Sequence, residues 1–187
     1  MSEQNVVLDD QELSRALTRI AHEILERNID PSELAIVGIH SRGAVLARRI
    51  VALLNEFGDA EIPLGLLDIG FYRDDLGKRP EAPQVYSTEI DFPLDGATVV
   101  IVDDVLYSGR TVRAAIEALF AYGRPACVQL AVLVDRGHRE LPIRPDYIGK
   151  NLPTAPGERV FVQVEETDGV DQVVIGEAES AVTGDAA

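Results

Sequence analysis

The stretch from Thr98 to Gly123 constrains this chain more than any other. It opens with mostly β-branched apolar residues, Thr98 to Val102, the mark of a strand buried on both faces. Two acids, Asp103 and Asp104, follow at once, then a short turn holding Ser108, Gly109 and Thr111. From Arg110 to Tyr122 the apolar spacing becomes helical, with Val112, Ala115, Ile116, Leu119 and Phe120 on one face and Gly123 as a stop. A buried strand that feeds a helix through a tight turn is a building unit of an α/β sheet.

Such a turn places free backbone N–H groups at a helix N-terminus, where phosphate is the common ligand. Gly109 lets the backbone approach a ligand closely, Ser108 and Thr111 add hydroxyl donors, and Arg110 adds positive charge. Asp103 and Asp104 stand at the C-terminal end of the strand, where carboxylates can accept from sugar hydroxyls or hold a hydrated Mg²⁺. An anion cradle beside a diol acceptor suggests a ribose phosphate. The plainer alternative is an α/β crossover with a polar turn.

The rest of the chain repeats this grammar. Asp9 and Asp10 open a helix that runs to about Asn28, with Leu13, Ala16, Leu17, Ile20, Ala21 and Ile24 as its buried stripe. Its other side shows Arg15, Thr18, Arg19, His22 and Glu26, which spacing alone reads as a solvated face. Ala35 to Ile39 reads as a strand, and the turn Gly38 to Gly43 feeds a second helix from about Ala44 to Phe57. That makes a second candidate anion site, with Arg42 as its cation and His40 as a loop residue. Ile62 to Ile69 and Val85 to Phe92 read as strands around a charged loop, Phe71 to Pro83, whose Arg73, Lys78 and Arg79 suit a lid. Cys127 to Val134 is a strongly apolar strand, in which Cys127 reads as a packing residue. Asp135 to Asn151 follows as a basic island holding Arg136, His138, Arg139, Arg144 and Lys150. Val160 to Val164 and Gln172 to Ile175 read as short strands, and residues 178–187, small and acidic, as a disordered tail.

The chain has 187 residues, which suits one domain over 1–177. Its net charge is −15, and only Lys78 and Lys150 are lysines, a balance that repels nucleic acid on average but permits a local basic patch. A single cysteine excludes an internal disulfide framework and suits a reducing cytoplasm. No apolar run reaches membrane-span length, and no secretory signal is visible.

The stretch Val99 to Thr111 resembles the phosphoribosyl-diphosphate (PRPP) signature of type I phosphoribosyltransferases. The similarity reaches further, from Val6 to about Ile175. R-A-L-T-R-I-A-H-E at Arg15 to Glu23, Y-R-D-D-L at Tyr72 to Leu76, V-D-D-V-L-Y-S-G-R-T-V-R-A at Val102 to Ala114 and the long run from Gly123 to Asn151 resemble the PyrR family. That family comprises pyrimidine-operon attenuation regulators that are also uracil phosphoribosyltransferases. Where the family pattern has a Lys-Thr pair, this chain has His40-Ser41.

The resemblance implies a type I phosphoribosyltransferase fold: a central, mostly parallel sheet flanked by helices, with a small hood and a flexible lid loop. It implies that uracil and PRPP give UMP and diphosphate, with Mg²⁺ entering alongside PRPP. Asp103, Asp104, Arg42, Arg73 and Arg79 would carry catalysis, with Asp103 and Asp104 as candidate metal ligands. Ser41, Arg42, Asp103, Asp104 and the run Val105, Leu106, Tyr107, Ser108, Gly109, Arg110, Thr111 would bind PRPP and UMP. The turn at Ser41 would hold pyrophosphate, often through a strained or cis peptide in the family. Arg136 and Ile148 would belong to the hood over uracil. A pyr leader mRNA hairpin, bound under control of UMP or UTP, would meet Thr18, Arg19, His22, Arg27, His138, Arg139, Arg144 and Lys150. The resemblance also implies a homo-oligomer, a dimer or higher. Two other functions remain open on these residues: a phosphoribosyltransferase for a purine base without an RNA role, and a catalytically silent RNA-binding nucleotide sensor.

Overall fold

The computed structural model describes residues 5–58, 60–72, 86–155 and 157–177. Arg73, Lys78 and Arg79 of the expected lid, and the expected tail, lie outside the described residues.

Local chemistry sets the first helix. Helix α1 (Asp10–Arg27) starts at Asp9, whose carboxylate accepts from the Glu12 N–H at 2.7 Å while the Glu12 carboxylate accepts from the Asp9 N–H at 3.1 Å. This reciprocal capping satisfies two otherwise orphaned donors. The expected stripe of Leu13, Ala16, Leu17, Ile20, Ala21 and Ile24 is buried.

Five strands form one parallel sheet: β2 (Leu34–Ile39), β3 (Leu64–Leu67), β4 (Thr98–Leu106), β5 (Cys127–Asp135) and β6 (Tyr147–Asn151), in the order β3-β2-β4-β5-β6. Central β4 is bonded on both sides, with Val102 opposite Gly38 of β2 and Ala131 of β5. α1 and α2 (Arg42–Phe57) pack with Ile36, Val100, Val102, Ala131 and Leu133 on one face. α3 (Arg110–Leu119) packs with Val37, Ile39, Val99, Ile101 and Val132 on the other. Val99 to Val102 are 0–1% exposed, and each such side chain contributes about 1.5–3 kcal/mol through burial.

A second, antiparallel sheet has the order β1-β8-β7, from β1 (Asn5–Leu8), β7 (Glu158–Gln163) and β8 (Gln172–Glu177). Leu8, Val162, Val164 and Val173 join it to the core on the α1 and α2 face. The single-turn helix α4 (Glu165–Asp168) links β7 to β8.

Several details differ from expectation. Asp135 to Asn151 reads from composition as a basic island, with Arg136 and Ile148 implied by resemblance for the hood, yet Tyr147–Asn151 is the edge strand of the main sheet and the small sheet is built from both ends of the chain. In 86–92, part of the expected strand, pairing is one bridge, in which Leu66 and Glu89 exchange N–H···O bonds of 2.8 Å. Phe120 is 48% exposed because α3 ends at Leu119 and its stripe stops there. Cys127 is exposed, not packed, because it is the first residue of β5, at the margin of the covered sheet. Among the described residues, no helix is long and apolar enough to cross a membrane.

Candidate active site

β2 and β4 are neighbours, but α2 leaves β2 for one face of the sheet and α3 leaves β4 for the other. A crevice opens at the carboxyl ends of strands where the winding reverses in this way. Two turns frame it, one after each strand.

The β4 turn is held by its own neighbours. Asp103 is 6% exposed, and its Oδ1 accepts from the Asp104 N–H at 2.9 Å. Asp104 Oδ1 accepts from the Val105 N–H at 2.8 Å. Gly109, the N-cap of α3, has φ +91°, a conformation natural to glycine. The backbone carbonyls of the turn are claimed from outside. Leu106 O accepts from the Arg136 N–H at 3.1 Å, Tyr107 O from Arg139 Nη1 at 2.9 Å, and Ser108 O from the N–H groups of Glu140 and Leu141 at 3.0 and 3.1 Å. With its carbonyls turned outward and a helix N-terminus behind it, the turn offers amides and hydroxyls to a cavity of about 310 Å³ lined by Asp103, by the run from Val105 to Val112 and by Glu140. Arg110 Nε donates to Glu140 Oε2 at 2.7 Å across its rim.

The β2 turn is built differently. The His40–Ser41 peptide is cis, and Ser41 gives α2 no side-chain cap. A Cβ on Gly43 would lie 2.7 Å from Val102 O and 3.1 Å from Asp103 Cα, so only glycine lets the start of α2 lie this close to the acid pair. Arg42 is fixed from afar: Nε and Nη2 donate to Asp168 Oδ2 and Oδ1 of α4 at 3.2 and 2.7 Å. The Asp168 hydrogen bond, and more weakly the charges of Asp168 and Asp104, push the Arg42 guanidinium pKa up against the opposing effect of burial. The His40 ring stacks on Tyr86 at 4.6 Å, and its Nε2 is buried with no partner among the described residues.

The other expected site residues fall into separate groups. Arg136 is 8% exposed and donates to Thr154 Oγ1 at 3.0 Å and Glu158 O at 2.8 Å, with its guanidinium 4.2 Å from the centre of the Tyr107 ring. His138 Nε2 lies 2.7 Å from Thr154 O while its ring meets that of Tyr107 at 5.8 Å, and Arg139, which bonds Tyr107 O, also meets Asp135 Oδ2, so both brace the β4 turn. Ile148 lies in β6, its carbonyl 3.1 Å from Arg19 Nη2. Thr18, Arg19 and His22 line an open groove of about 480 Å³ on α1, where His22 stacks on Phe57. Arg27 pairs with Asp146 at 2.6 Å, Lys150 Nζ donates to Val7 O at 2.7 Å, and Arg144 is exposed. The eight candidate RNA contacts are therefore split between the α1 and β6 edge and the loop behind Tyr107.

Sequence reasoning missed Asp168, and with it the second clamp: Arg49 bonds Glu166 and Asp171. Arg42 and Asp168 stand 126 residues apart, so no local pattern announces the pair. For a metal, no cluster of three or more His, Cys, Asp or Glu side chains is suited among the described residues. The adjacent carboxylates of Asp103 and Asp104 are hard oxygen donors, and one or two of these fit a Mg²⁺ that keeps water and substrate phosphate ligands.

Comparison with known proteins fits this geometry. Residues 3–167 match the phosphoribosyl transferase domain. The Bifunctional protein PyrR of a Roseiflexus species is 58% identical over 170 residues, covering 90% of this chain and 93% of that protein. The proteins of the same name from Deinococcus radiodurans and Thermus thermophilus are 56% and 55% identical, covering 92% and 94% of this chain and 94% and 97% of theirs. Among solved structures, the hypoxanthine phosphoribosyltransferase of Trypanosoma cruzi superimposes with a TM-score of 0.69 at 16% identity, covering 92% of this chain and 96% of its own. A hypoxanthine-guanine phosphoribosyltransferase from Bacillus anthracis gives 0.68 at 15% identity, covering 93% and 98%. At that identity the structural likeness speaks for the fold alone.

Proposed function

The chain belongs to the PyrR family of phosphoribosyl transferase domains, and from that premise we propose that it makes UMP and diphosphate from uracil and PRPP and binds pyr leader RNA under uridine-nucleotide control. The observation that carries the enzymatic half is the adjacent carboxylates of Asp103 and Asp104 beside an outward-turned, glycine-capped helix start at the switch point of the sheet.

In this proposal the 5′-phosphate sits on the amides and hydroxyls of the turn from Tyr107 to Thr111, the Val105 N–H being held by Asp104. The ribose hydroxyls donate to Asp103 and Asp104. As the C1′–oxygen bond of PRPP lengthens, positive charge develops on the ribose ring, and the nearby carboxylates stabilise it. Pyrophosphate leaves with the bonding pair, steadied by Arg42 and by Arg73 and Arg79 of the segment expected to act as a lid. Uracil N1 forms the new bond to C1′ and gives up its proton. Mg²⁺, when bound with PRPP, supplies charge neutralisation on the leaving pyrophosphate, and Asp103 and Asp104 are the residues suited to hold it. The gain in rate comes from positioning and electrostatics, with no covalent enzyme intermediate. Arg136, beside Tyr107 at the cavity, supports a place for the base on that side.

The regulatory half rests on the α1 groove at Thr18, Arg19 and His22, where a ring and cations stand together at the surface. Loop bases of an RNA hairpin stack on such groups and their phosphates pair with the cations. Assembly as a homo-oligomer, as the family resemblance implies, and work in the cytoplasm belong to the same proposal.

The enzymatic proposal is tested by UMP formation from uracil, PRPP and Mg²⁺, with hypoxanthine and guanine as competitors. Turnover of uracil with negligible purine turnover is expected, and a purine preference would overturn it. Gel shift with a pyr leader at moderate salt, with and without UMP, tests the regulatory half: binding strengthened by UMP is expected, and none would reject it.

A further inference from the structure

Arg42 does not stand alone at the crevice. Two of its nitrogens, Nε and Nη2, are engaged by both oxygens of Asp168, the fork-to-fork geometry in which guanidinium and carboxylate fix one another's orientation. Nη1 has no partner among the described residues. The carboxylate is itself anchored, since Asp168 Oδ2 also accepts from the Val164 N–H at 2.9 Å. The turn that carries it is clamped onto α2 one helical stretch further along. Arg49 Nε donates to Glu166 Oε1 at 2.9 Å, Arg49 Nη1 and Nη2 donate to Asp171 at 2.7 and 2.8 Å, and Asp171 Oδ1 accepts from the Glu165 N–H at 2.7 Å. α2 thus carries Arg42 at its first turn and Arg49 two turns on, and both reach the same four-residue element, α4.

We propose that Asp168 is a positioning residue: it holds the Arg42 guanidinium at the mouth of the crevice with its Nη1 edge left for the departing pyrophosphate. The inference rests on the proposal that the crevice takes PRPP. The alternative role for Asp168 is a brake that keeps Arg42 from the anion. Two points favour positioning. A free arginine samples many rotamers, and freezing it on the ligand costs affinity that a preformed fork does not. The guanidinium also feels the charge of Asp104, one of the two crevice carboxylates, while the carboxylate that holds it belongs to α4, between the strands of the small sheet. The start of α2 and the α4 turn between β7 and β8 are then one braced unit.

The experiment measures Mg²⁺–pyrophosphate affinity by calorimetry, and KM for PRPP and for uracil by UMP formation, on the full chain and on Asp168→Asn, Arg42→Ala and the double variant. Asp168→Asn is expected to weaken pyrophosphate binding and raise KM for PRPP by about tenfold, with KM for uracil within about twofold. On an Arg42→Ala background the same change is expected to add less than about twofold, because the two residues act as a unit. Should Asp168→Asn not fold, Asp168→Glu keeps the charge while displacing it by a methylene, and the same loss for PRPP over uracil is expected. Unchanged or tighter pyrophosphate binding, equal losses for PRPP and uracil, or losses that add to those of Arg42→Ala would overturn the inference. So would a wild-type protein that binds no Mg²⁺–pyrophosphate. If the wild type binds pyrophosphate but makes no UMP, the uracil reaction falls and Asp168 is still read from affinity. If it makes UMP while Asp168→Asn keeps wild-type pyrophosphate affinity, only the role of Asp168 falls.

Discussion

The turns after β2 and β4 do the same job in the chain, each passing a buried strand to a helix at the crevice, yet they are held in opposite ways. The β4 turn is local: Asp103 and Asp104 accept from the next residue's N–H, and Gly109 sets the helix start. Its outer buttress, Arg136 to Leu141, lies about one strand further on. The β2 turn has no side-chain cap, and its cation is fixed by a carboxylate 126 residues away. A site can therefore combine one half whose geometry is written into a contiguous motif with another that exists only once the small sheet has docked.

The sharpest way to break this comparison is at the acid pair. Asp104→Asn is expected to lower kcat for UMP formation by about 10²-fold, the scale of losing one preorganised electrostatic stabiliser. A rate near wild type would mean that the β4 turn is scaffold only. Gly43→Ala comes next, because its Cβ would meet the Val102 carbonyl at 2.7 Å and backbone cannot swing aside. A loss of about 1–3 kcal/mol in urea unfolding is expected, as for an overpacked interior, together with a higher KM for PRPP as α2 is pushed from Asp103. Gly109→Ala probes the other turn. Here the Cβ would make ordinary contact with Ile143 and Leu141 at 3.4 Å, so the cost is backbone strain at φ +91°, about 1–2 kcal/mol. UMP affinity should fall more than stability. If both glycine variants behave alike, the contrast between the turns is wrong.

The smallest effect concerns the far clamp. The Arg49 hydrogen bonds, first among the causes, hold the carboxyls of Asp171 and Glu166 below their ordinary values. A carboxyl with a depressed folded-state pKa adds stability above its unfolded pKa, and that stability is lost as pH falls through the folded value. Arg49→Met should therefore lower Tm most near neutral pH, with the gap to wild type narrowing below about pH 4, where both carboxyls protonate. A gap independent of pH would remove the ion pairs from the account.

What the sequence made legible follows the same division. The strand, acids, turn and helix from Thr98 onward are contiguous, so spacing alone locates them, and the capping pattern at Asp9 and Glu12 does the same for α1. Pairings between distant segments leave no such trace. The edge strand Tyr147–Asn151 is hidden in a charged run because only one neighbour, β5, bonds it, and β1 is four residues that become a strand through β8. Phe120 and Cys127 have apolar character, but their positions at the ends of elements decide their exposure. Cations read from composition as a basic island prove to be occupied: Arg136 by Thr154 and Glu158, Arg139 by Asp135 and Tyr107.

The central claim is that the amides from Tyr107 to Thr111 grip a 5′-phosphate. Titrating UMP into ¹⁵N-labelled protein tests it most directly. The account predicts that the backbone amide resonances of Ser108 to Thr111 shift most, and that ribose 5-phosphate alone moves the same set. Shifts confined to the α1 groove, or a silent β4 turn at saturating nucleotide, would contradict it.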